Sequence, residues 1–98
     1  MFLILTSKDG QFHSETVDGL VARETYDYVF YGQRKARFVI AEMQRDVRVR
    51  IVEATDQPLV NEVPTKFFPK FETLEQARAE LRHLTGFGTM QTVLERVA

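Results

Sequence analysis

The stretch TYDYVFYGQRKARFVIAEMQRDVRVRIV, residues 25–52, contains three successive runs of alternating side chains separated by polar breaks. From Thr25 to Tyr31, Tyr26, Tyr28 and Phe30 alternate with Thr25, Asp27 and Val29, which gives a strand two chemically distinct faces. Gly32-Gln33-Arg34 can turn the chain. Lys35 to Met43 then sets Phe38 and Ile40 on one side and Val39, Ala41 and Met43 on the other, so both faces are apolar enough for a central strand. Gln44-Arg45-Asp46 breaks the pattern, and Val47, Val49 and Ile51 alternate with Arg48 and Arg50 as an inside-outside strand. These three runs predict an antiparallel meander.

Working outward toward the N-terminus, Phe2 to Ser7 reads as a first strand that ends at Asp9-Gly10, a dipeptide suited to a tight hairpin turn. Gln11 to Glu15 is the returning strand, Asp18-Gly19 repeats the turn signal, and Leu20 to Glu24 leads into the meander. On the C-terminal side, residues 54 to 72 show neither period and contain Pro58, Pro64 and Pro69, which predicts a long connection. It must cover Leu59, Val60, Val63, Phe67, Phe68 and Phe71, and at least two of its phenylalanines are expected to plug the open end of the core. Thr73 and Gln76 have the capping-box spacing, so a helix is expected over 74–85. Leu74, Ala77, Leu81 and Leu84 mark its apolar face, Glu75, Arg78, Glu80 and Arg82 the other, and Gly86 its C-cap. The tail fits either period, and a strand is the expectation for residues 90–97. The fold class that results is α+β: a single domain over residues 1–98, with a predominantly antiparallel sheet of about five or six strands, a central meander at 25–52 and one main helix at 74–85 packed on one face.

Composition narrows the chemistry. The chain has 98 residues, 44% of them hydrophobic and 28% charged, which suits one globular unit. It has no cysteine, which excludes disulfide staples, thiolate catalysis and cysteine-ligated zinc or iron–sulfur sites. Phe2-Leu3-Ile4-Leu5 is too short for a signal-peptide core or a membrane span, so no membrane association and a cytoplasmic location are expected. The net charge of −1 is unevenly spread: residues 34–50 carry six basic and two acidic groups, and acidic groups predominate on both sides.

That basic segment supplies the first candidate site. Arg34, Lys35, Arg37, Arg45, Arg48 and Arg50 lie on two strands and their turns, near Tyr26, Tyr28, Phe30 and Tyr31. Forked guanidinium groups favour carboxylates and phosphates, so these residues suit an acidic partner protein. Arginines interleaved with aromatic faces could also hold single-stranded nucleic acid. The bland alternative is that the charges keep a strand face solvated and deter edge pairing. The segment from Pro64 to Phe71 interleaves lysines and phenylalanines and is a candidate docking loop.

Two histidines complete the inventory. His13 and Glu15 share one face of a strand, but no third ligand stands nearby to make a metal site. His83 has Glu80 three residues before it on the helix, a spacing that could orient an imidazole as a base, yet no nucleophile or acid accompanies it. Gly86-Phe87-Gly88-Thr89 fits neither the dinucleotide fingerprint nor a phosphate loop. The reading is therefore a non-catalytic binding or accessory protein with no catalytic residue, metal or cofactor. It would contact a partner protein through Arg34, Lys35, Arg37, Arg48, Arg50, Phe67 and Phe68. Nucleic-acid binding through the same strands and a small enzyme using a histidine are the alternatives, and an edge strand leaves room for a homo-oligomer.

Overall fold

Two strands are apolar on both faces, and the sheet is built around them. The computed structural model describes residues 1–85 and 92–98. Its strands are β1 (Phe2–Lys8), β2 (Phe12–Glu15), β3 (Leu20–Phe30), β4 (Gln33–Met43), β5 (Arg48–Glu53), β6 (Val60–Pro64) and β7 (Thr92–Arg96), with a 3-10 turn at Thr65–Phe67 and the helix α1 at Leu74–Thr85. All seven strands form one antiparallel sheet in the order β6-β5-β2-β1-β4-β3-β7. One helix on one antiparallel sheet is the expected α+β class, with more strands than the sequence suggested.

The order of the strands corrects the meander. β3 and β4 pair as a hairpin, but the other neighbour of β4 is β1, in register from Phe2↔Glu42 to Lys8↔Ala36. β5 pairs with β2 and β6 instead. Ile4 meets Ile40 on the helix side while Leu3 and Leu5 meet Ala41 and Val39 on the other, so the two doubly apolar strands bury both faces against each other. β5, with arginines on its outer face, has one face suited to water and takes a place farther out. A second correction is β6, which forms within the segment read as an unstructured connection. Its Asn61, Glu62 and Pro64 hide any period, and pairing with β5 makes it a strand.

The sheet curls where β1 meets β2. Only Lys8↔Phe12 pairs there, and farther along Ser14 substitutes side-chain bonds: its amide donates to Ser7 Oγ at 2.9 Å and its hydroxyl donates to the Thr6 carbonyl at 2.5 Å. β2 peels away and carries β5 back over β1 and β4. Val49 and Ile51 thereby close on Leu3, Leu5, Leu20 and Ala41, with Phe68 against the same cluster. On the opposite face, α1 sets Ala77 and Leu81 onto Ala36, Phe38 and Ile40, with Phe71, Tyr26 and Tyr28 around them. The expectation for the phenylalanine-rich stretch holds: Phe68 packs into one core cluster and Phe71 into the other, while Phe67 stays outside.

A bulge in β3 decides which residues meet the helix. Ala22 pairs with Ala41 but Glu24 pairs with Ile40, so the chain gains one residue at Arg23 and its parity flips. Leu20 therefore faces the Leu3 cluster, whereas Tyr26 and Tyr28 face α1 with Phe38. The helix begins as expected: Thr73 Oγ1 accepts from the Gln76 amide at 3.1 Å, and Gln76 Oε1 accepts from the Glu72 amide at 2.9 Å. Three of its residues depart from expectation. Leu84 is exposed, Arg78 turns inward, and Glu80 is half-buried beside Ile4 and Phe71. The tail forms a strand, β7, while the proposed C-cap Gly86 and Met90 lie outside the described residues.

At the turn before β3, Gly19 has φ +99, and a Cβ there would lie 2.7 Å from Val47 Cγ1 and 3.2 Å from the Arg45 guanidinium carbon. Gly19→Ala is therefore expected to cost about 2 kcal/mol through backbone strain and crowding together. A urea titration compared with the wild type measures it, and Gly10→Ala, strained but uncrowded, should cost less.

Candidate partner-binding surface

Cross-strand register decides which arginines are available. On the outer face of β2, β5 and β6, Arg50 stands between Glu15 and Glu62, and its Nε lies 3.6 Å from Glu15 Oε1. Glu15 pairs with it, and Glu62 lies across from it on β6. Arg48, two residues earlier on that face, is paired with Pro64 and lies beyond the end of β2. Among the described residues no carboxylate stands within ion-pair distance of it.

Arg34 and Arg37 are engaged on the helix-free face of the hairpin. Arg37 donates from Nε to Asp27 Oδ1 at 2.7 Å and from Nη2 to Oδ2 at 3.1 Å, a bidentate pair. That bond from Arg37, with the charges of Arg37 and Arg34, holds the Asp27 carboxyl below its ordinary pKa against the opposing effect of burial. Arg34 donates from Nε to Asp9 Oδ2 at 2.9 Å and stands 3.9 Å from Asp27. Lys35 is exposed at the hairpin end and donates to Gln33 Oε1 at 3.4 Å. The residues proposed from sequence are thus not one surface. Arg34, Lys35 and Arg37 lie on β4 near its hairpin, Arg48 and Arg50 on β5, and Phe68 is packed inside.

A corner at the end of β6 brings Arg48 together with Lys66, which in turn stands over Phe67. The 3-10 turn after Pro64 leaves the Phe67 ring 70% exposed, and Lys66 Nζ sits 5.3 Å from its centroid. Arg48, Lys66, Asp46, Val47, Pro64 and Thr65 line a hollow of about 330 Å³. Its floor is rigid: Thr65 is fully buried, its Oγ1 donates to Asp46 Oδ1 at 3.2 Å and accepts from the Val47 amide, and its own amide donates to the Val47 carbonyl at 2.9 Å. Against the one carboxylate of Asp46, the two cations give the hollow a net positive charge. Sequence reading put Lys66 in a candidate docking loop but not beside Arg48, because the 3-10 turn that brings them together has no periodic signal.

A second cluster involves a carboxylate that the sequence did not single out. Glu24 is 3% exposed under α1. Its Oε1 accepts from the Tyr26 hydroxyl at 2.5 Å and from Arg78 Nε at 2.9 Å, its Oε2 accepts from Arg78 Nη2, and Arg96 Nη2 lies 3.5 Å away. Arg78 also binds Glu75. The bonds from Arg78 lower the Glu24 pKa to about 2, outweighing burial, with further help from Tyr26. Burial, and then the bond to Glu24, raise the pKa of Tyr26. A carboxylate held ionised by its cationic partners has no proton to give and little tendency to take one, so this group ties β3, α1 and β7 together.

The remaining candidates are dispersed. His13 Nε2 is 3.5 Å from Glu15 Oε2 on an exposed strand face, and His83 lies on the exposed side of α1. Among the described residues no three histidine or carboxylate groups are placed to hold a metal ion. Tyr26 and Tyr28 pack beneath the helix, and Phe30 meets Tyr31 edge to face at 4.4 Å. No described helix is long and apolar enough to cross a membrane. The chain matches no protein-family model, no curated protein and no solved structure.

Proposed function

We propose that the chain is a non-catalytic binding or accessory protein that docks an acidic partner protein at the corner formed by Arg48, Lys66 and Phe67. The observation that carries this reading is the exposure of Phe67 beside Lys66, which shares a hollow with Arg48, neither cation having a carboxylate partner among the described residues. An exposed aromatic ring beside a cationic hollow is the composition of an interface anchor: the ring supplies apolar area, and the cations select a partner that carries carboxylates. Arg34, Arg37 and Arg50 keep the reading's basic strands but contribute less, because each already has a carboxylate within the sheet.

Affinity capture from native extract, with and without nuclease, tests it using the wild type and the Phe67→Ser, Arg48→Ala double variant. Both positions are exposed, so both proteins should give the same circular dichroism and unfolding midpoint. A stoichiometric protein retained by the wild type and reduced about tenfold or more with the variant is the expected result. Equal recovery by the two proteins, or material that disappears with nuclease, would overturn it.

A further inference from the structure

The two edges of the sheet are treated differently. In β6 the Glu53 amide donates to Leu59 and the Thr65 amide donates to Val47, so odd-numbered residues direct their amides toward β5. The even-numbered positions face the open edge, and there Pro64 has no N–H to offer, nor has Pro58 just before the strand. Two prolines bracket that edge and leave Val60 and Glu62 as its outward donors. In β7 the Val97 amide donates to the Thr25 carbonyl, and the register with β3 is uninterrupted from Phe30↔Thr92 to Tyr26↔Arg96. The backbone groups of Thr92, Leu94 and Arg96 therefore face outward, with no proline or bulge to blunt them.

We propose that this open edge is a self-association surface: two copies of the chain pair antiparallel through Thr92–Arg96 about a two-fold axis at Leu94, joining their sheets into one. The strand is self-complementary in that register. Leu94 faces Leu94, Val93 faces Glu95 and Arg96 faces Thr92, so no charge meets its like, and about six backbone bonds form. Centring the pair on Glu95 instead would oppose two carboxylates. Val93 and Val97, 50% and 52% exposed on the face away from α1, lie along the same seam. The two-fold axis is perpendicular to the sheet, so both helices stay on one side. β7 and β6 are opposite edges, which keeps this surface separate from the Arg48–Phe67 corner.

Sedimentation equilibrium of the full chain up to about 1 mM, repeated for three variants, tests the pairing. The wild type should be a monomer–dimer mixture. Val93→Glu places a carboxylate against Glu95 twice per dimer and should weaken association about tenfold, whereas Val93→Lys should strengthen it by a similar factor. Thr92→Pro removes an outward N–H that has no acceptor among the described residues and should abolish dimers. Hydrogen exchange gives a readout that needs no variant: the Leu94 and Arg96 amides should become protected as concentration rises. A wild type monomeric throughout, a dimer indifferent to Val93→Glu, or equal weakening by Val93→Glu and Val93→Lys would overturn the proposal. If Thr92→Pro fails to fold, the exposed Val93 pair and the exchange data still decide.

Discussion

Lowering the pH from about 4.5 toward 2 is expected to remove about 3 kcal/mol of stability that Glu24 supplies at neutral pH. The group is depressed from an ordinary 4.5 to about 2 in the folded chain. The folded state therefore binds fewer protons than the unfolded state between those values, so the contribution is complete above the upper one and lost as pH falls through the lower one. Asp27, also held below its ordinary value, adds a loss of the same sign. Urea unfolding at pH 7, 4.5, 3 and 2 in the wild type and in Glu24→Gln separates the two. The variant should start less stable at pH 7 and show a smaller acid-dependent loss, the residue of which belongs to Asp27 and other carboxylates. Arg78→Met should shrink the same component, since it removes the main cause of the shift and leaves an ionised carboxylate buried under α1. Parallel pH profiles for Glu24→Gln and the wild type would show that the carboxylate is not held as described.

The second large effect separates two leucines that one helical stripe treats alike. Leu81→Ala is expected to cost about 3 kcal/mol and about 15 °C in Tm, because Leu81 is fully buried between α1 and β4 and truncation opens a cavity. Leu84→Ala should change stability by no more than about 0.5 kcal/mol, since that side chain is 61% exposed on the last turn. Thermal unfolding of the two variants measures both. Equal losses would mean that the last turn of α1 sits against the core, contrary to the placement described.

The candidate surface was legible only as a composition. Sequence showed six basic residues in residues 34–50, but net charge along a chain does not say which cations have partners. Arg37 and Asp27 are ten positions apart and meet because β3 and β4 pair in a particular register. Arg50 is neutralised by Glu15, from a strand two turns of chain away, and Arg48 escapes because β2 ends at that residue. Phe67, Phe68 and Phe71 have one chemistry and three fates, fixed by a 3-10 turn and by the approach of Phe71 to Phe2, whose backbones bond at 2.8 Å in both directions. Glu24 carried no signal, because a bulge at Arg23 turns its side chain under the helix.

What the sequence by itself determined is what depends on near neighbours. Period-two alternation placed β3, β4 and β5, Thr73 and Gln76 placed the start of α1, the Asp-Gly pairs placed two turns, and together they specified one helix on an antiparallel sheet. Local sterics and capping bonds reach only a few residues, so these features are written where they act. Only the tertiary structure decided that β1 rather than β5 lies beside β4, that residues 60–64 form an edge strand, and that Arg78 crosses to Glu24. Each of those depends on the total apolar area buried and on charges brought together across the fold, quantities that no short window of sequence contains.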